Sequence, residues 1–237
     1  MTRLIQISRR SFAITLAAFG LTITAHAVNP PELDKALRQM DAASTQFRSA
    51  EANFKWDFYE RVVKDTTSNT GTIYFLRKGA STDMGAQIVA PAKKTIAYSG
   101  GSLQLYDLSI DQITNISAGS NRGQIESFLT LGFGGSGKDL EKAWTITYQG
   151  NEAVQDGSNT VQTAKLDLIP KDPSVKNMFT HVTIWVDPAR AITYKQFFET
   201  PSGDSRTTYF ADIRYNKSVD TKKYAIHKTS KTTVVNR

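Results

Sequence analysis

The sequence predicts a mainly β protein with helices, of the α+β class: a single antiparallel sheet with an N-terminal helix and a mid-chain helical segment. Three observations predict it. Apolar residues between Pro30 and Phe47 recur at spacings of three and four, and from Ala52 the period switches to two. Short alternating runs then follow one another to the end of the chain. Turn signals such as Ser99-Gly100-Gly101-Ser102, Asp187-Pro188 and Pro201-Ser202-Gly203-Asp204 separate most of them. Connectors that short make antiparallel hairpins, whereas parallel βαβ units need long crossovers.

Residues 1–27 read as a cleaved signal peptide. Arg3, Arg9 and Arg10 precede an apolar run from Phe12 to Ile23, and Ala25-His26-Ala27 offers a cleavage site before Val28. Within this leader, Ser8-Arg9-Arg10-Ser11-Phe12 resembles a twin-arginine export signal; ordinary secretion is the alternative. Residues 28–237 read as one domain.

That domain opens with a helix whose Leu33, Leu37, Met40, Ser44 and Phe47 fall near one face. In the next segment Ala52, Phe54, Trp56 and Phe58 alternate with Asn53, Lys55 and Asp57, the pattern of a half-buried strand. Further strands are expected at 71–77, 87–90, 95–98, 103–108, 112–116, 144–149, 161–169, 181–187, 192–199, 206–215 and 223–227, with a terminal run at 232–235. Between the fifth and sixth of these, Ile125, Phe128, Leu129 and Gly132 have helical spacing.

The segment Gly132-Phe133-Gly134-Gly135-Ser136-Gly137-Lys138-Asp139 resembles a phosphate-binding loop, except that Asp139 replaces the metal-binding hydroxyl. Such a loop needs a buried strand before it and a full helix after it, and the flanking patterns supply neither. Ser136-Gly137-Lys138-Asp139 instead fits a capping box, with Ser136 starting a short helix and the glycines turning the chain.

Composition excludes several chemistries. There is no cysteine, which removes disulfides, thiolate nucleophiles, Cys-based zinc sites and lipidation of this chain at a lipobox. Of the three histidines, only His181 and His227 follow the leader, too few for a three-histidine metal site, and no G-x-S-x-G elbow is present. Neither an enzyme nor a cofactor is expected. The formal charge of +7 falls to +4 without the leader, whose Arg3, Arg9 and Arg10 have no acidic counterpart. No nucleic-acid motif accompanies that mild charge. What the chain does carry is aromatic residues concentrated in strands. They serve either as the plain core of a packed barrel or as the lining of an apolar pocket.

The order of these features resembles the LolA-like periplasmic carriers of outer-membrane lipoproteins over nearly all of residues 28–237. The likeness runs through "ANFKWDFYERV", "GTIYFLRKG", "TIAYSGGSLQLYDLSIDQIT", "IESFLTLGFGGSGKDLEKAWTITYQGNEAV", "AKLDLIPKD", the meander "HVTIWVDPARAITYKQFFETPSGDSRTTYFADIRYN" and "KYAIH". The resemblance implies a strongly curved, half-open antiparallel barrel whose helices form a lid over an apolar cavity. Trp56, Phe58, Phe75, Ile96, Leu105, Phe128 and Leu129 would line the cavity. Arg77 matches the family's lid latch, an arginine that hydrogen-bonds helix carbonyls. The implied cargo is the acyl chains of lipoproteins, received from an inner-membrane releasing transporter and passed to an outer-membrane acceptor by a periplasmic monomer, with no nucleotide and no nucleic acid. A carrier of other lipids or glycolipids, or an envelope-stress lipid sensor, is the alternative on the same fold; a secreted hydrolase is the alternative from another class. The chain departs from the family at Lys78-Gly79, where proline is usual, at Gln104-Leu105-Tyr106, and after Tyr224, where F-x-x-x-x-P-x-G is absent. These departures suggest a divergent branch with a different lipid cargo.

Overall fold

A long helix lies across the concave side of one sheet. The computed structural model describes residues 30–117, 119, 128 and 131–237; the expected leader and Leu129 lie outside them. Helix α1 (Pro31–Ser44) begins with proline at its first position and has Glu32 and Asp34 in its first turn, where the backbone N–H dipoles favour acids. Its apolar stripe, Leu33, Ala36, Leu37, Met40 and Ala43, is buried, as the spacing predicts. Each of the larger side chains contributes about 1.5–3 kcal/mol by burial.

The strands are β1 (Ser49–Glu60), β2 (Asp65–Lys78), β3 (Ser81–Ala90), β4 (Lys94–Ser99), β5 (Ser102–Asp107), β6 (Gln112–Ser117), β7 (Trp144–Asp156), β8 (Asn159–Pro170), β9 (His181–Asp187), β10 (Ile192–Glu199), β11 (Ser205–Tyr215) and β12 (Thr233–Asn236). They form one sheet in the order β12-β6-β5-β4-β3-β2-β1-β11-β10-β9-β8-β7. The edge strands β12 and β7 do not pair with each other, so the barrel is open. The sheet nevertheless curls back on itself. Val154 and Val161, near the tip of the β7–β8 hairpin, pack into the same cluster as Phe54 and Phe210. Asp156 Oδ1 accepts from Ile213 N (3.2 Å) where β11 is bulged.

Helix α2 (Gly137–Ala143) and the single turn α3 (Pro173–Lys176) follow later in the chain, and Phe128 is also helical. Two expectations are corrected. Residues 223–227 are not a strand: Asp220 caps a 3-10 turn at Thr221–Tyr224, and the tyrosine is buried against the convex face of β2 and β3. Its ring meets Tyr74 edge-on at 4.7 Å, its hydroxyl donates to Glu51 Oε1 (2.9 Å), and burial pushes its pKa up to about 12. One buried ring imitates a strand's alternation. The sheet is also not wholly antiparallel, because the chain end returns to pair β12 in parallel with β6.

Candidate functional site

The ladder register fixes which side chains share the concave face. One row runs Ala52, Ile73, Ala86, Ile96, Leu105; the next runs Ala50, Phe75, Met84, Tyr98, Leu103. Toward the far rim of β1, Phe58 stands opposite Arg206 of β11, and Arg206 opposite Phe198 of β10. Directly opposed residues in an antiparallel ladder point to the same side. The sequence candidates Trp56, Phe58, Phe75, Ile96 and Leu105 therefore share one continuous inner surface, with Arg77 two residues beyond Phe75.

Two apolar clusters fill that surface. Against β7–β10, helices α1 and α2 cover Leu166, Leu168, Val182, Ile184 and Phe198. Against β1–β4 and β11 no helix is needed, because the segment before α2 supplies a plug. Phe133 is 1% exposed, stacked on Phe75 (centroids 3.9 Å apart, planes 12°) and edge-on to Phe210 at 4.9 Å. Its backbone bridges Ile192, with Thr193 N donating to Gly132 O (2.8 Å) and Gly134 N to Ala191 O (2.9 Å). Gln196 Nε2 also donates to Leu131 O at 2.6 Å. The flanking glycines make this insertion possible. Gly132 and Gly134 have φ of +77° and +75°, and a Cβ would lie 1.7 Å from Thr193 Oγ1 at one and 2.3 Å from the Phe47 ring at the other.

Arg77 meets this plug at the end of β2. Its Nη2 donates to Gly134 O at 2.6 Å, and its guanidinium carbon lies 5.7 Å from the Phe47 ring centroid. Its Nε is buried and finds no hydrogen-bond acceptor among the described residues, so the guanidinium is held through Nη2 and not through Nε. Beside the contact opens a cavity of about 850 Å³, lined on its apolar side by Met40, Phe128, Leu131, Phe133, Leu140, Trp144 and Val175, and on its polar side by Arg77, Lys142, Lys171 and Asp139. Of the sequence candidates, Phe128 and Arg77 line this cavity. Phe75 lies behind Phe133. Trp56, Phe58, Ile96 and Leu105 are on the same concave face but not on the cavity wall. Phe128 stacks on Phe179 (4.9 Å) and meets Phe198 edge-on (5.3 Å), which joins the cavity to the rim where Arg206 lies.

The loop that resembles a phosphate cradle has its helix N–H groups already occupied. Ser136 Oγ accepts from Asp139 N (3.1 Å) and donates to Asp139 Oδ2 (2.6 Å), while Asp41 of α1 accepts from Lys138 N (3.1 Å). A carboxylate thus holds the position a phosphate would take. Among the described residues, no cluster of three His, Asp or Glu could hold a metal ion. Sequence reasoning missed Phe133 as a plug and Arg206 as an inner-face cation. The available signals were an aromatic isolated between glycines and a basic residue in phase with Thr208 and Phe210.

No protein-family model and no curated protein matches the sequence. Solved structures do. An uncharacterized conserved protein from Thermus thermophilus superposes with TM-score 0.53 at 8% identity, over 87% of this chain and 99% of that one. MucB superposes with TM-score 0.53 at 12% identity, over 87% of this chain but only 66% of its own. A LolA superfamily protein from Nitrosomonas europaea superposes more loosely, with TM-score 0.39 at 15% identity over 82% of this chain and 97% of that one, too loosely to bear weight. This chain shares its overall fold with the Thermus thermophilus protein and with MucB. At these identities the likeness extends to the fold and not to cargo or partners.

Proposed function

We propose that the protein is a non-enzymatic lipid carrier of the bacterial envelope, whose concave face takes up the acyl chains of lipoproteins beneath α1 and the segment 131–143. The observation that carries this reading is the Arg77–Gly134 hydrogen bond at the rim of the cavity. It ties the end of one strand to a segment whose own aromatic, Phe133, covers the inner surface.

The physical requirement of a carrier explains the arrangement. Each acyl CH₂ removed from water is worth about 0.8 kcal/mol, so a cargo of two or three chains needs a dry surface in transit. A carrier must also release that cargo. Phe133 occupies the surface on Phe75 and Phe210 that an entering chain would cover, and therefore competes with it. A charge-assisted hydrogen bond worth roughly 1.5–3 kcal/mol favours the closed, empty form, while the unsatisfied Nε keeps the latch shallow enough to open.

In this reading the leader at residues 1–27 exports the chain to the periplasm. Loading occurs from an inner-membrane transporter and delivery to an outer-membrane acceptor. The test scores those two steps separately with lipoprotein-bearing vesicles. Arg77→Leu is expected to load normally and deliver poorly, because reclosure no longer displaces the chains. Equal delivery by variant and parent removes Arg77 from the mechanism. MucB has also been solved in complex with MucA, so co-purification of a protein in place of lipid is the outcome that would make this chain a regulator.

A further inference from the structure

We propose that Arg206 forms an anion-binding subsite on the concave face, and that the cargo is consequently an anionic amphiphile, an apolar chain ending in a carboxylate or phosphate. The proposal rests on the acyl-binding reading and adds the polar end of the ligand to it.

The surroundings of Arg206 are aromatic. Its guanidinium carbon lies 5.0 Å from the Phe198 ring centroid and 5.4 Å from that of Trp56, and Phe58 is its partner across the ladder. Stacking of this kind orients a guanidinium and leaves its N–H edge for an acceptor. No carboxylate lies within ion-pair distance of it among the described residues. Other arginines are partnered: Arg38 with Asp34, Arg190 with Asp187, Arg214 with Glu51, and Arg77 with the Gly134 carbonyl. The carboxylates nearest in register, Asp57 and Glu199, fall out of phase with Arg206 and belong to the convex face. Asp57 is moreover taken by Lys55 (2.9 Å) and Ser68 (2.6 Å).

Such a cation is expensive to keep. Burial lowers the Arg206 pKa below its usual value, and no carboxylate among the described residues pairs with it to offset the lost hydration. An anion brought by the ligand would offset it, and a neutral headgroup would not. The placement suits a chain-plus-head ligand, since Phe198 touches Phe128 on the cavity wall. A chain lying in the cavity would pass these rings and leave its head at Arg206.

The test is calorimetric titration of the protein without its leader, using laurate, its neutral glycerol ester monolaurin, and inorganic phosphate. The parent protein should bind laurate about tenfold or more tighter than monolaurin, the factor expected of charge-assisted hydrogen bonds. Arg206→Gln should bring laurate down to the monolaurin level and leave monolaurin unchanged, whereas Arg206→Lys should keep part of the preference. Phosphate should not displace laurate. Equal affinities in the parent, a preference that survives Arg206→Gln, or displacement by phosphate alone overturns the proposal. If Arg206→Gln does not fold, the parent's laurate-to-monolaurin ratio and Arg206→Lys decide it. Binding of both probes with equal affinity leaves the carrier reading standing; binding of neither overturns both.

Discussion

Arg77 Nη2 donates to the carbonyl oxygen of Gly134 at 2.6 Å, across 57 residues of sequence. This bond joins β2 to the segment that carries Phe133, so its loss should loosen that segment selectively. Arg77→Leu is expected to raise amide exchange in residues 131–143 by about tenfold, the equivalent of one modest charge-assisted bond, without altering β8 and β9. Uniform exchange across the molecule would show that Arg77 is an ordinary strand residue.

Phe133→Ala removes the plug. Truncating a fully buried phenylalanine destabilises by about 3–5 kcal/mol, visible as a lower denaturant midpoint. The same change exposes Phe75 and Phe210, so acyl probes should bind faster in the variant despite its lower stability. Slower binding would mean that Phe133 forms part of the ligand surface instead of competing for it.

The loop from Gly132 to Asp139 should act as a cap and not as a nucleotide site. Ser136→Ala is expected to cost about 1 kcal/mol in thermal or chemical unfolding. Lys138→Ala should stay within about 0.5 kcal/mol of the parent, and neither protein should bind ATP in a titration. Saturable ATP binding abolished in Lys138→Ala would contradict the assignment.

Tyr194 gives the fold an alkaline limit. Burial pushes its phenol up to about 12, outweighing the opposing pull of Arg190, whose Nη2 donates to the hydroxyl at 2.5 Å. In the unfolded chain the phenol ionises at about pH 10, the usual value for tyrosine, so the folded state binds more protons above that pH. The stabilisation is complete below about pH 10 and is lost as pH rises toward about 12. Tyr194→Phe should flatten the fall in stability over that window, measured by chemical unfolding at successive pH values. An unchanged slope would place the titration elsewhere.

Local patterns made much of this architecture legible. The alternation of Ala52, Phe54, Trp56 and Phe58, and of Ile73, Phe75 and Arg77, placed these side chains on one face of each strand, and the ladder register makes that face the inner one. Ser136 and Asp139 announced a helix start. Three features could not be read in that way, because each is decided by contacts distant in sequence. Phe133 becomes a plug only through Ile192, Phe75 and Phe210. The parallel return of β12 depends on where the chain end docks, and Tyr224 looks like a strand residue until Tyr74 and Glu51 are brought beneath it. In the sequence Arg206 is one charged residue of a strand; its lack of a carboxylate partner among the described residues emerges only when Asp57 and Glu199 are seen to point away.

The central claim is that the concave face carries acyl chains. Native mass spectrometry of the protein purified from its own envelope, followed by solvent extraction, tests it most directly. The expected result is a bound mass that leaves with the organic phase and is identified as an acylated molecule, with occupancy that falls in Arg206→Gln. A protein that retains its bare mass after purification, and again after incubation with acyl donors, would contradict the account.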